Sequence, residues 1–380
     1  MSAPRLPSTL GRAAIALAIA LALGACETDL PAGVQTKPGV TPAGTDSGGS
    51  ATQAPALPAG SRLGAFQVVP GVALGTARSE HTSQVVGAFL YVLGGLSGEE
   101  TSSNLVERVA LDGVERAAIA SDGTLGPFSS VERSHLTTPR FGHCSVVVGS
   151  YLYVLGGLDG NFVSLNTVER AVINSNGVLG QFAPDPEATL VLPRYGAACQ
   201  VVGKYLYVMG GGGDHQNATE RAPIRDDGTL GPFELMPASQ AASGRVFSSA
   251  HLLGTFVYLL GGDEEDRTER ASFATDGALG SFAPQASASL TVQRGSATSH
   301  VIGNSLYVLG GWSGVVEKTL ERASLGAGQA LGAFSSVAET ALSGPSMRHT
   351  SHIVGPYLYV IGGSDDGRRA LRRVERALIE

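Results

Sequence analysis

The chain is poor in the residues on which several classes of protein depend. It has three cysteines and one tryptophan in 380 residues. Acidic side chains outnumber Lys and Arg by 33 to 26, and this shortage of positive charge argues against nucleic-acid binding and against attraction to anionic lipid. No Ser-His-Asp order, phosphate-binding loop or HExxH stretch is present. No cofactor is therefore expected.

A six-fold repeat fills most of the chain instead. The phrase Leu90-Tyr91-Val92-Leu93-Gly94-Gly95 has five further copies, whose double glycines end at Gly157, Gly211, Gly262, Gly311 and Gly363. The first and last copies are five periods apart, so one unit spans about 54 residues. A period of this size indicates a ring or a solenoid whose units bury their cores against their neighbours.

Each unit contains four short apolar runs separated by turn residues, which predicts four strands. In the second unit, run A is His143–Val148, run B is Tyr151–Leu155, run C is Val168–Ile173 and run D is Leu179–Phe182. The runs are short and rich in β-branched and aromatic residues, so strands are favoured over helices. Four antiparallel strands make one propeller blade.

The two ends of the repeat indicate how the ring closes. Leu-Gly-x-Phe occurs six times, beginning at Leu63, Leu125, Leu179, Leu230, Leu279 and Leu331. One copy precedes the first unit, whereas the sixth unit lacks its own. We therefore expect residues 63–66 to form the missing fourth strand of the sixth blade, which removes the open edge of the sheet.

Over residues 61–380 the sequence resembles the kelch family. The resemblance rests on Pro-Arg-Phe-Gly-His at 139–143, Pro-Arg-Tyr-Gly at 193–196 and the six Tyr…Gly-Gly phrases. It implies an all-β, six-bladed propeller with four antiparallel strands in each blade. Kelch blades usually carry a tryptophan in run D, where this chain has Leu-Gly-x-Phe, so a named subfamily is not indicated.

The residues before the repeat read as an export signal and a tether. Two arginines lead into the apolar run Ala13–Leu23, which is too short to span a membrane permanently. The following Leu-Gly-Ala-Cys26 resembles the lipobox of bacterial lipoproteins, which implies a signal peptide at 1–25 and a lipid on Cys26. Residues 26–60 are rich in Pro, Gly, Ala, Thr and Ser, as in a disordered tether. The alternative is an ordinary secretory signal. The lipid would be the only contact with a membrane. The expected location of the protein is the outer membrane of the bacterial envelope.

Two cysteines remain in the repeats. Cys144 and Cys199 lie five and four residues before the glycines that end their strands, so strand alternation points them to opposite faces. We therefore expect no disulfide between them.

Arginine recurs nine residues before the glycine that ends run A. It is present in five units and replaced by Ser346 in the sixth, where Arg348 follows; the set is Arg78, Arg140, Arg194, Arg245, Arg294 and Arg348. Run A is innermost in a propeller, so these side chains could ring the mouth of the central channel and bind carboxylates. Alternatively, they pair with acids of neighbouring blades or cap a carbonyl group. The six Glu-Arg pairs of run C are expected to form ion pairs between blades.

Histidine occurs in only some of the units. His81, His143 and His349 lie six residues before the glycine of run A in three adjacent blades; a second set, three residues before it, is His251, His300 and His352. The two sets differ by an odd number of positions and so should point to opposite faces of their strands. The first set is a weak candidate for a metal site, because its nitrogens would have to converge on one ion. A polar channel lining is the alternative, and no metal is expected.

The loops between runs B and C differ most among the units and should open on the same face as the arginines. Blade four has the acidic stretch 263–266, blade six has Arg368 and Arg369, and Trp312 opens the loop of blade five. An exposed indole there could stack on a sugar or anchor a partner, or it could cover a loop.

Three functions follow from these features. The first is a non-catalytic, lipid-anchored scaffold that binds a protein or a glycan at its loop face. The second is a periplasmic mutarotase or epimerase acting on an acidic sugar such as sialic acid, because six-bladed kelch propellers include such enzymes. The third is a copper enzyme resembling galactose oxidase, whose cofactor needs a cysteine joined to a tyrosine. No acidic residue stands apart as a catalytic base.

Overall fold

The chain forms a six-bladed β-propeller in a computed structural model that describes residues 57–98, 108–214, 216–262 and 266–380. Six antiparallel sheets of four strands surround one axis. In each blade the strands are called A to D from the axis outward, and the A strands of neighbouring blades contact each other. The predicted fold class is confirmed. The signal, Cys26 and most of the tether lie outside the described residues.

The strands, in chain order, are β1 Gln67–Arg78, β2 Thr82–Val86, β3 Phe89–Leu93, β4 Leu96–Ser97, β5 Val109–Ala110, β6 Gly113–Ala118, β7 Ser129–His135, β8 Cys144–Val148, β9 Tyr151–Leu155, β10 Thr167–Val172, β11 Ala183–Thr189, β12 Ala198–Val202, β13 Tyr205–Met209, β14 Thr219–Pro223, β15 Glu234–Leu235, β16 Ser249–Leu253, β17 Phe256–Leu260, β18 Thr268–Ser272, β19 Ala283–Pro284, β20 Thr298–Ile302, β21 Ser305–Leu309, β22 Leu320–Leu325, β23 Leu331–Val337, β24 Thr350–Val354, β25 Tyr357–Ile361 and β26 Leu371–Leu378. Short 3-10 helices cover Pro237–Ser239, Ala286–Ala288 and Ala327–Gln329.

Blade one is β2-β3-β6-β7, and blades two to five take four consecutive strands each, from β8 to β23. Strands β4 and β5 form a small ribbon in the B–C loop of blade one. The A–B and C–D turns lie on one face of the disc, named the turn face. The B–C loops and the D–A linkers between blades lie on the other, named the loop face.

The ring closes as the sequence indicates. Blade six is β24-β25-β26 with β1 as its outermost strand, so the two ends of the chain share one sheet. Residues 63–66 lead into this strand: Leu63 bridges Ile379, and the Arg62 amide donates to the Glu380 carbonyl at 2.8 Å. The closing strand itself begins at Gln67. Closure leaves no free sheet edge between the first and last blades.

The predicted boundaries of run D are wrong in blade two, whereas in blade five strand β23 does begin with Leu331 of Leu-Gly-x-Phe. Leu179 makes one bridge to Ile173, and the fourth strand of blade two begins only at Ala183. The amide of Gly180 donates to the Val172 carbonyl at 2.8 Å, so Leu-Gly-x-Phe closes the C–D turn. Its Leu and Phe are buried as in a strand, but they pack beneath that turn.

The repeated tyrosines tie each blade to the next one. Their side chains are at most 2% exposed, and four of them donate from the hydroxyl to a glycine carbonyl in the next blade's C–D turn at 2.9–3.0 Å; the pairs are Tyr91–Gly177, Tyr153–Gly228, Tyr207–Gly277 and Tyr359–Gly123. The double glycines have left-handed φ, as at Gly94 (54°) and Gly95 (102°). A Cβ on Gly95 would lie 2.8 Å from His81 Cβ, so the turn has room only for glycine.

A disulfide joins Cys144 of β8 to Cys199 of β12, with their Cα atoms 6.4 Å apart, and the expectation of no disulfide is wrong. The two side chains do leave opposite faces of their strands, but neighbouring blades pack face to face. Opposite faces are therefore the ones that meet between two blades. Ser249 and Ser299 occupy the same two positions in blades four and five, and their hydroxyls lie 2.7 Å apart.

Candidate binding face

The five repeated arginines are interior residues. Each is at most 3% exposed and pairs with the run C glutamate of the same repeat unit at 2.5–2.9 Å; the pairs are Arg78–Glu115, Arg140–Glu169, Arg194–Glu220, Arg245–Glu269 and Arg294–Glu321. Burial lowers the pKa of Arg140 from its ordinary value, and the Glu169 carboxylate opposes this shift. The expectation that these guanidinium groups face a ligand is contradicted, because the pairs are closed off from solvent.

The glutamates also fix the linkers between blades. Glu169 accepts from the amides of Thr137 and Thr138 at 2.7 and 3.1 Å, and both of these residues belong to the linker that enters its blade. Arg140 completes the arrangement by donating to the Gly156 carbonyl at 2.9 Å. The predicted ion pairs between blades are thus ion pairs within a repeat unit. The contact between blades is made by the amides of the linker.

The sixth blade replaces the missing arginine from another strand. Ser346 occupies the arginine position, and Arg373 of β26 reaches Glu375 at 3.2 Å. Its guanidinium also donates to the carbonyls of Gly344 and Pro345 at 3.1 Å, so the linker is held as in the other blades. Arg348 pairs instead with Glu80 at 3.1 Å.

A closed ring of backbone hydrogen bonds lies at the axis on the loop face. One residue of each blade has φ between 58° and 63° and donates its amide to the same position one blade earlier, at 2.7–3.2 Å; the six are Glu80, Gly142, Gly196, Phe247, Ser296 and Arg348. An apolar cluster borders it on the side of blades one to four, formed by Leu96, Phe141, Leu158, Tyr195, Val246 and Phe247. The expected channel mouth is therefore covered by backbone and apolar side chains on this face.

The two histidine sets point to opposite faces of their strands, as predicted, and so bond to opposite neighbours. In the first set, Nε2 lies 2.9–3.1 Å from a threonine hydroxyl of the preceding blade; the pairs are His81–Thr350, His143–Thr82 and His349–Thr298. In the second set, Nε2 lies 2.6–2.7 Å from a serine hydroxyl of the following blade; the pairs are His251–Ser299, His300–Ser351 and His352–Ser83. Each ring thus bonds to its own partner. In the part of the chain that the structure describes, no group of three His, Cys, Asp or Glu side chains is placed to hold a metal.

Burial keeps these six rings uncharged. Desolvation lowers the pKa of His143 and His349 to about 3 and that of His251 and His352 to about 4. For His81 and His300 the pKa also falls well below the usual value, with nearby Arg78 adding to the effect at His81. The six histidines therefore serve as neutral hydrogen-bonding groups between blades.

Exposed apolar side chains are concentrated on the loop face. Ten large apolar residues are exposed in the described chain, and six of them lie in B–C loops or D–A linkers; these six are Val109, Phe162, Val163, Val191, Val292 and Val315. Trp312 is half-buried, and its backbone pairs with Gly295 and Val316. The sequence singled out Trp312 because it is unique, whereas the larger apolar surface lies in blades one and two.

That surface, named the blade 1–2 patch, consists of Val109, Phe162 and Val163. The Phe162 ring packs edge-on against Phe141, with centroids 5.3 Å apart, and the Arg108 guanidinium lies 5.9 Å from its centre. Beside the patch is a cleft of about 230 Å³ between the loops of blades two and three, lined by Ser164, Leu192, Pro193, Arg194, Gly212, Gly213 and Asp214. Sequence reasoning missed the patch.

Comparison with known proteins matches the Kelch motif to residues 139–170. Host cell factor 2 of Homo sapiens is 29% identical over 154 residues, which are 38% of this chain and 19% of the human protein. The match thus spans about a fifth of that relative. Because the matched motif is one of six units that build the same ring, the chain is a kelch-repeat β-propeller.

Proposed function

We propose that this protein is a non-catalytic scaffold that binds another protein through its loop face. The observation that carries the proposal is the concentration of exposed apolar side chains on that face, six of the ten in the described chain. Clustered apolar residues on loops of a rigid scaffold are typical of protein recognition surfaces.

The two enzyme hypotheses lose the residues on which they rested. An acidic sugar was to bind a ring of arginines, but those guanidinium groups are buried against glutamates. A copper centre of the galactose oxidase type needs a cysteine bonded to a tyrosine, whereas Cys144 is bonded to Cys199. A glycan is less favoured than a protein because the exposed side chains of the loop face are mainly valines and Phe162.

Photo-cross-linking tests the assignment of the binding face. A benzoyl-phenylalanine at Val163 or Val315 on the loop face is expected to give a discrete cross-linked partner in the cells that make the protein. The same group at Ser121 or Thr275, which are exposed on the turn face, should give none. Adducts from the turn-face positions alone, or from no position, would contradict the proposal.

We further propose that the protein is held in the bacterial outer membrane by a lipid on Cys26. The proposal rests on the Leu-Gly-Ala-Cys26 sequence after a short apolar run. The described chain enters at the turn face, where Pro58 and Ser61 lie against Gly303 in the A–B turn of blade five. A tether that leaves from this side would direct the loop face away from the anchor. Within the described ranges, no helix is long and apolar enough to cross a membrane.

Metabolic labelling tests the anchor. The wild-type chain should incorporate an alkynyl fatty acid, and Cys26→Ser should abolish the label because it removes the thiol. Glu27→Gln is the matched control and should keep the label. A labelled Cys26→Ser variant would show that the lipid is elsewhere.

A further inference from the structure

The Phe162 backbone adopts a conformation that elsewhere in this protein belongs mainly to glycine. Its amide donates to the Asp159 carbonyl at 3.0 Å, and the Asp159 amide donates to the Val163 carbonyl at 3.1 Å. The C–D turns repeat this pair of hydrogen bonds, as in 174–178, and four of them place a glycine at the equivalent position; these are Gly123, Gly177, Gly228 and Gly277. Phe162 has a φ of 62° there.

A bulky side chain at a left-handed position carries a conformational penalty that glycine avoids. The ring does not repay it by burial, because Phe162 remains 43% exposed. The turn therefore holds an aromatic side chain at the surface at some expense to stability. Such strain is typical of positions kept for recognition.

The patch around Phe162 is continuous between two blades. Val109 and Val163 are each 57% exposed. The Ala110 side chain, next to Val109, lies against Gly160 of the blade-two loop, so the ribbon of blade one touches that loop. Arg108 links the two blades, because its guanidinium contacts the Phe162 ring and forms an ion pair with Glu80 at 3.0 Å.

The accessible charges beside this patch are acidic. Asp112 is exposed on the blade-one side, and Asp214 is exposed at the rim of the cleft on the blade-three side. Among the described residues in the B–C loops of blades one to three, Arg108 is the one basic side chain; it is 11% exposed and pairs with buried Glu80, which Arg348 also contacts. In the cleft, Arg194 is 3% exposed and paired with Glu220.

We propose that the blade 1–2 patch binds a protein segment in which a bulky apolar side chain neighbours a lysine or arginine. The apolar side chain would cover Phe162 and Val163, and the basic group would approach Asp214 or Asp112. This inference rests on the proposed function and specifies the chemistry of the partner. Apolar contact supplies the affinity, and the aspartates select the sign of the partner's charge.

Selection from a random peptide library displayed on phage tests the proposal, with the full chain as target. Peptides that bind the wild type should carry an apolar residue beside Lys or Arg. Phe162→Gly should weaken them at least tenfold, because glycine keeps the turn and removes the ring. Gln329→Gly is the matched control, since Gln329 has a φ of 61° in a turn on the opposite face. It should leave binding unchanged.

The charge requirement has its own test. Asp214→Asn or Asp112→Asn should weaken the selected peptides severalfold, and added salt should have a smaller effect on that variant than on the wild type. Acidic peptides, or peptides that bind wild type and Phe162→Gly equally, would overturn the inference. So would a library that yields no peptide able to distinguish the two. Cross-links from Val315 alone would then still support the loop face, whereas cross-links from no loop-face position would defeat the proposed function itself.

Discussion

At pH 5 the propeller is expected to be far less stable than at pH 7, because six buried histidines remain uncharged in the folded state. Burial lowers the pKa of His143 and His349 to about 3 and that of His251 and His352 to about 4. An unfolded histidine titrates near 6.5. Between these values the unfolded chain binds protons that the folded chain does not, so the free energy of unfolding falls as the pH falls.

The size of the effect follows from the number of sites. Each such histidine removes up to about 1.4 kcal/mol for each pH unit below 6.5, until its folded pKa is reached. Six sites acting together can remove a total stability of about 5–15 kcal/mol within roughly two pH units. We therefore expect full stability above pH 6.5 and cooperative unfolding between about pH 6 and 4.

Urea denaturation at half-unit pH steps measures this slope. His143→Gln is a useful variant, because a glutamine can still meet the Thr82 hydroxyl, which lies 2.9 Å from the histidine ring. Between pH 5 and 6.5 this variant should lower the slope of the free energy of unfolding against pH by the equivalent of about one bound proton. A free energy of unfolding that stays constant from pH 7 to 5 would contradict neutral buried histidines.

The sequence predicted the ring because its architecture depends on local features repeated six times. Tyrosine, double glycine and the apolar runs of strands A to C mark every unit. Strand D was misplaced because it is the outermost strand and has a weak apolar signal: in blade two it is Ala183–Thr189, which includes two prolines and two acids. The apolar Leu179 and Phe182 before it looked more like a strand, yet they pack under the turn.

Side-chain roles were harder to predict because they depend on which faces meet between blades. The glutamate of run C occurs in all six units and the arginine in five, and the one unit without it, blade six with Ser346, gains Arg373. That compensation already indicates an Arg–Glu pair. Likewise, each first-set histidine bonds to a threonine of the preceding unit, and the histidine and the threonine are absent together. In the three units that precede a unit without this histidine, the threonine position holds Cys144, Ala198 or Ser249. The exposure of Phe162 had no such signal, because only the backbone geometry shows that it replaces a glycine.

Removal of the Cys144–Cys199 disulfide is expected to lower the free energy of unfolding by about 4 kcal/mol, because the bond closes a loop of 55 residues in the unfolded chain. The sequence itself offers the mildest replacement. The position of Cys144 is occupied by threonine in blades one, five and six; these residues are Thr82, Thr298 and Thr350. The position of Cys199 is occupied by serine in four blades; these residues are Ser83, Ser145, Ser299 and Ser351. The double variant Cys144→Thr with Cys199→Ser should therefore fold without strain.

Chemical denaturation of the wild type and of this double variant provides the measurement. The variant should unfold at a lower denaturant concentration with a similar m-value, since the same surface is exposed. Thr82→Ser is the matched control in a blade pair without the bond, and it should cost much less. Equal midpoints for wild type and double variant would contradict the prediction.

The position of the bond gives its loss a further consequence. At the two histidine positions blades two and three have Val146 and Ala197, whereas four of the other five neighbouring pairs have at least one histidine bonded to threonine or serine. The disulfide is therefore the covalent substitute for a polar pair between the A strands of blades two and three. Exchange of backbone amide hydrogens in the double variant should increase first in β8 and β12. It should increase later in the A strands of the blades that keep their histidine pairs. Uniform exchange across all six A strands would show that the bond stabilises the ring only through the unfolded chain.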